Sequence, residues 1–128
     1  MRLFGSISSG AAVGSAGSAT ATTTSTIPAI GFVAAIIVRY NDSPPSTTDV
    51  TIATAGTGHP AITLLTLTNA NTDVTRNVRH AVHDSTGAVV TFDGTNAVYD
   101  LPAVADFVTV TIAQANSGDS VDVWIFLT

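Results

Sequence analysis

From Thr20 to the C-terminus, clusters of turn-forming residues recur at intervals of roughly ten residues, and the segments between them are short and rich in β-branched side chains. That spacing leaves no room for helices longer than a turn or two. Composition points the same way. The chain has 128 residues and contains no Lys, no Glu and no Cys; all nine acids are Asp, and the four cations are Arg2, Arg39, Arg76 and Arg79. Lys and Glu build most exposed helix faces, whereas Thr and Val favour a pleated, half-buried surface. The expectation is an all-β domain of roughly eight or nine antiparallel strands, arranged as a β-sandwich or barrel and jelly-roll-like.

The strands can be read segment by segment. Thr20–Thr26 is a β-branched run stopped by Pro28, and Ile30–Tyr40 is a long apolar strand covered on both faces. The loop Asn41-Asp42-Ser43-Pro44-Pro45-Ser46 follows, with two prolines that cannot donate to a ladder. Asp49–Thr54 alternates, with Val50 and Ile52 inward. In Ile62–Thr68 the apolar set slips from Ile62 and Leu64 to Leu65 and Leu67, which predicts a bulge or two covered faces. Val74–His83, Ala88–Phe92, Val98–Leu101, Phe107–Ala113 and Val121–Leu127 complete the series, separated by turns such as Asp84-Ser85-Thr86-Gly87 and Asp93-Gly94-Thr95-Asn96.

Residues 1–27 differ from the rest. Gly5 to Ala19 is nearly all Gly, Ser and Ala, too small to bury a face and costly to order. The composition predicts two parts: a Gly/Ser/Ala-rich N-terminal arm over 1–27 and a β-sandwich over 28–128. A secretory signal, with Arg2 and Ala19-Thr20-Ala21 as a cleavage site, is the lesser reading of the arm, because Gly and Ser break its apolar middle every few residues. Held in order, such an arm would lie in a groove on a partner, with Arg2, Leu3, Phe4 and Ile7 as its sizeable contact residues and Phe4 as the anchor. The alternative is that it packs back on its own domain.

Charge and motifs exclude several classes of function. A net charge of −5 with four Arg provides no basic stripe for nucleic acid. The longest apolar run, Ile30 to Val38, is too short to span a bilayer. There is no Gly-x-Ser-x-Gly elbow, and no lysine-bearing phosphate loop can exist without Lys. His80 and His83 are three apart, which on a strand places them on opposite faces, so no chelating pair is expected. His59 has no partner nearby in sequence. Asp93-Gly94-Thr95-Asn96 lacks the ligand spacing and terminal acid of a calcium loop. The reading is therefore of a chain that is not an enzyme and uses no metal and no cofactor.

One strand is anomalous. In Ser120–Leu127, Val121, Val123, Ile125 and Leu127 form a core face, which leaves Asp122, Trp124 and Phe126 on the other. Solvent-facing strand faces rarely carry a Trp beside a Phe. Either this strand is central and doubly covered, or Trp124 and Phe126 meet another chain and serve self-association.

From Gly31 to Thr128 the chain resembles small virion proteins of tailed bacteriophages. The resemblance lies in Thr48-Asp49-Val50-Thr51-Ile52, Gly58-His59-Pro60-Ala61-Ile62-Thr63-Leu64 and Arg79-His80-Ala81-Val82-His83-Asp84. It continues through Thr91-Phe92-Asp93-Gly94-Thr95-Asn96 and Val108-Thr109-Val110-Thr111-Ile112-Ala113-Gln114. These are patterns of strand and turn, and the proteins they resemble look like capsid decoration (cement) proteins. The resemblance implies a β-sandwich or jelly-roll body, assembly as a homotrimer over capsid three-fold positions, and a place on the capsid surface of the virion. It implies the major capsid protein as partner and carries no catalytic residues. The alternatives are another virion component (tail, fibre or receptor-binding module) or a carbohydrate-binding jelly-roll domain, for which Tyr40, Tyr99 and Trp124 are the candidate aromatics.

Overall fold

Burial alternates residue by residue along the last strands, the signature of sheets with one face on a core. The computed structural model describes residues 1–128 and contains strands only: β1 (Arg2–Ser8), β2 (Ala19–Thr24), β3 (Ala29–Asn41), β4 (Asp49–Thr54), β5 (Thr63–Leu67), β6 (Val74–Arg76), β7 (His80–Ala81), β8 (Tyr99–Asp100), β9 (Ala103–Asp106), β10 (Val108–Ala115) and β11 (Ser120–Leu127). The all-β expectation holds. Two antiparallel sheets stack as a sandwich. The first has the order β1-β11-β3-β6, with β9 extending beside β3; the second has the order β2-β10-β4-β5.

The core lies between the sheets. From the first come Val33, Ile36 and Val38 of β3 with Val121, Val123, Ile125 and Leu127 of β11; from the second come Val50, Ile52, Val108, Val110 and Ile112. Register keeps the inward sets opposite one another: Val123 faces Val38 and Ile125 faces Ile36. The slip anticipated in the Ile62–Thr68 segment is present as a register shift between Ile52 and Ala53 where β4 meets β5. The long Val74–His83 strand is not formed. It divides into β6 and β7 around Asn77–Arg79. Ala88–Phe92 makes only isolated bridges, His83 with Val89 and Thr91 with Ala97. Residues 80–100 instead form a small three-ply meander, in which the Val90 and Val98 amides donate to the Val82 and Val90 carbonyls and the Val82 amide to the Val98 carbonyl.

The separate N-terminal arm is not what the structure contains. β1 pairs along its length with β11, and β2 pairs with β10, so residues 1–27 supply an outer strand to each sheet. Phe4 and Ile7, read from sequence as contacts for a partner, are buried in the chain's own core. Residues three apart on a regular strand face opposite ways. Here the register shifts between Gly5 and Ile7, and the extra residue returns Ile7 to the inward face beside Phe4. The Ser9 and Ala12 amides then donate to the Val121 and Asp119 carbonyls, carrying the chain from one sheet to the other. Small side chains permit this close passage, and Ala12 and Ala19 are themselves buried.

Candidate functional site

β11 lies between β1 and β3, central within its sheet, and its outward residues Asp122, Trp124 and Phe126 are half-buried. Of the two sequence readings of this strand, the structure supplies the central position, with an outward face that is partly covered. Trp124 sits between Gly5 on β1 and Ile37 on β3; Phe126 sits between Leu3 and Ala35. Gly5 gives Trp124 no flanking side chain. Its backbone has φ +127°, and an added Cβ would stand 2.7 Å from the Val123 carbonyl oxygen, so the position excludes side chains. The apolar strip continues along β3 to Ile30 and Phe32, both more than half exposed, as is Leu3. Isolated exposed apolar residues are ordinary, but a contiguous aromatic and aliphatic strip marks a contact surface.

One polar cluster borders the strip. Arg39 Nη2 donates to Asp122 Oδ2 at 2.7 Å, while the guanidinium carbon lies 5.2 Å from the centre of the Trp124 ring. Asn41 Nδ2 also donates to Asp122 at 3.2 Å. Burial opposes ionisation of Asp122, but these hydrogen bonds and the Arg39 charge outweigh it and hold the carboxyl below its ordinary range. Arg39 is more than half exposed, so the ion pair itself contributes only about 0.2–1 kcal/mol. Its effect is to fix the Arg39 side chain across the indole, leaving the rim polar and the centre apolar.

The other sequence candidates are dispersed. Arg2 Nη2 donates to the Ile30 carbonyl at 3.0 Å, and Leu3 joins the outer strip; Phe4 and Ile7 point the opposite way. Tyr40 faces inward opposite Val121, whereas Trp124 faces outward and Tyr99 lies on the distant meander, so the three aromatics considered for glycan binding form no common platform. Tyr40 is notable for another reason. Its buried hydroxyl has no hydrogen-bond partner, and burial together with Asp49 and Asp73 pushes its pKa up to about 12.

His59 acquires a neighbour that the sequence did not reveal. Its Nε2 lies 3.9 Å from Asp106 Oδ2, and Thr57 donates both its hydroxyl and its amide to the same carboxylate. The Gly56 and Phe107 amides donate as well, at 2.8 Å each. With the Thr57 hydroxyl the largest contributor, and despite the opposing effect of burial, these bonds lower the Asp106 pKa to about 2. The Thr57 hydroxyl is directed at the Asp106 carboxylate and not at the imidazole, and the low pKa of Asp106 makes that carboxylate a weak base. Asp106 works here as a clamp that pins the Gly56–Pro60 loop to the end of β9. No group of three or more His, Cys, Asp or Glu side chains converges for a metal ion, and no helix is long and apolar enough to cross a membrane.

Sequence reasoning missed Phe92, which with Tyr99 is prominently exposed on the meander. Its signal was Asp93-Gly94-Thr95-Asn96, a turn closed by Asp93 accepting from the Thr95 and Asn96 amides, which lifts the preceding aromatic to the tip of a projection. No protein-family model matches the chain, and neither the curated proteins nor the solved structures yield a significant match.

Proposed function

We propose that this chain is a structural virion protein, a capsid decoration (cement) protein that binds across neighbouring major capsid subunits of a phage head as a homotrimer. The observation that carries the reading is the outward apolar strip in which Leu3 and Phe32 are exposed and Trp124 and Phe126 half-buried, with its fixed Arg39–Asp122 rim. Such a surface is suited to permanent packing against protein. The strand order supports it. Setting aside the inserted β7, β8 and β9, the orders β1-β11-β3-β6 and β2-β10-β4-β5 send each strand to the opposite sheet from the one before except at the β4–β5 hairpin, as in a jelly roll, an architecture common in viral capsid and lectin domains. The sequence resemblance to tailed-phage virion proteins gives the capsid as the setting and three-fold assembly as the form. A chain with four Arg and no Lys has few cations for ion pairing, so attachment rests on apolar burial and main-chain hydrogen bonds and resists raised salt; release at moderately raised salt would point instead to its nine Asp meeting a basic partner.

The test is the double substitution Trp124→Ser with Phe126→Ser. Both side chains leave the core untouched, so the circular dichroism of the variant stays that of the parent. Sedimentation velocity then shows a parent of trimer mass and a variant of lower mass, and capsids stripped of the protein rebind the parent alone. A variant that sediments and decorates as the parent does would remove the strip from the assembly and with it the basis of this reading.

A further inference from the structure

β2 is an edge strand of the second sheet, tied to the crossing chain by the Thr23 hydroxyl donating to the Ser9 carbonyl at 2.8 Å. β2 pairs with β10 on one side only. On its other side the Thr20 amide and carbonyl bond to Val13, an antiparallel bridge of one residue pair. Since main-chain direction alternates along a strand, Thr22 and Thr24 present their amides and carbonyls outward beyond that bridge. Ser25 agrees with this phase, because its amide turns the other way and donates to Val108. Exposed edges are ordinarily blunted by charge, by proline or by a bulge. From Ala19 to Ile27 there is no charged residue and no proline. The opposite edge of the other sheet is β6, three residues long and bearing Arg76. β1 bears Arg2 and is broken by its register shift.

A groove accompanies this edge. Between β1 and the end of β2 the sandwich is open, with a volume of about 350 Å³. Phe4, Ile7 and Ile27 are its apolar lining, and Ser and Thr side chains of β1 and of residues 23–26 supply the rest. No charged residue lines it. β5, the other uncharged edge, has no groove beside it.

We propose that the β2 edge is a strand-addition site for an extended, uncharged segment of a partner protein, with aliphatic or β-branched side chains at every second position. The segment runs antiparallel to β2 and continues the pairing that Val13 begins. Its main chain bonds to Thr22 and Thr24, and alternate side chains descend over Phe4 and Ile7. The neutral lining selects the occupant, because a charged side chain in the groove would lose its hydration with no counter-charge to meet it. A second copy of β2 is a poorer fill, since the side chains it could turn inward are Ala21 and Thr23, too small and polar for the apolar lining. The site is separate from the strip around Trp124, and its existence does not depend on the virion reading.

The experiment is residue-resolved amide hydrogen exchange on the full chain. The probe is a blocked peptide of eight residues with Thr and Val alternating, compared with the same peptide bearing Asp in place of Val. Without peptide, the Thr22 and Thr24 amides exchange fast while the Thr23 amide, bonded to β10, exchanges slowly. With millimolar Thr/Val peptide, Thr22 and Thr24 slow by about tenfold or more, and the Asp peptide has no effect. Thr24→Pro removes an outward amide that β10 does not use, so the variant keeps its circular dichroism and loses the peptide effect. No slowing at Thr22 and Thr24 with either peptide overturns the proposal, as does equal slowing with both. Protection that rises with protein concentration and no peptide identifies a second copy as the occupant and overturns the assignment to a partner segment.

Discussion

Replacing Phe4 with alanine separates a strand built into the fold from an arm that merely lies on it. Phe4 is 7% exposed and faces Ile125 across the β1–β11 pair. Truncating a buried Phe costs about 3–5 kcal/mol, and the lower figure applies here because the ring borders an open groove. In a domain of this size each kcal/mol moves the melting temperature by about 4 °C, so Phe4→Ala melts about 12 °C below the parent. Ile7→Ala removes a second side chain of the same cluster at a similar cost of about 3 kcal/mol. Together these approach the whole stability of a typical domain, about 5–15 kcal/mol. Deleting residues 1–27 does more, since it also strips β11 and β10 of their outer partners. The fragment 28–128 is therefore expected to lack a cooperative thermal transition. Scanning calorimetry with far-ultraviolet circular dichroism reads both effects. A fragment 28–128 that melts cooperatively near the parent temperature, or a Phe4→Ala variant within about 2 °C of it, would refute the reasoning and restore a detachable arm.

Three further outcomes follow from individual residues. Gly5→Ala forces a Cβ against the Val123 carbonyl at a positive φ, and urea titration should show a loss of about 2 kcal/mol. Tyr40→Phe removes a buried hydroxyl that has no partner, so the same titration should show stability unchanged or raised by about 1 kcal/mol. Asp106 has a folded pKa of about 2 against an ordinary 3.8; its contribution is complete above the higher value and is lost as pH falls through the lower one. Melting temperature should consequently fall between about pH 4 and pH 2, and fall less steeply in Asp106→Asn, with Asp84, Asp93 and Asp122 supplying the remaining slope.

The sequence by itself determined the class and most of the core. Val50 and Ile52, Val108, Val110 and Ile112, and the alternate residues of β11 face inward as their spacing requires, because a strand's two faces are set by a period that needs no tertiary information. Turns rich in Gly, Asn, Asp and Pro marked the ends of β3, β4 and β10 to within a few residues for a similarly local reason. The outward position of Trp124 and Phe126 was legible too. What the tertiary structure alone decided was the fate of residues 1–27. Gly, Ser and Ala carry little preference of their own, and β1 and β2 exist because β11 and β10, about a hundred residues away in the chain, offer them unpaired main-chain groups. The bulge that turns both Phe4 and Ile7 inward arises in the same pairing. The meeting of Thr57, His59 and Asp106 likewise depends on which loop closes over which strand end, and no local pattern encodes it. Main-chain pairing between distant segments is indifferent to side-chain identity, so a stretch of small residues reads as an arm in sequence and becomes, once two sheets exist, the edge of each.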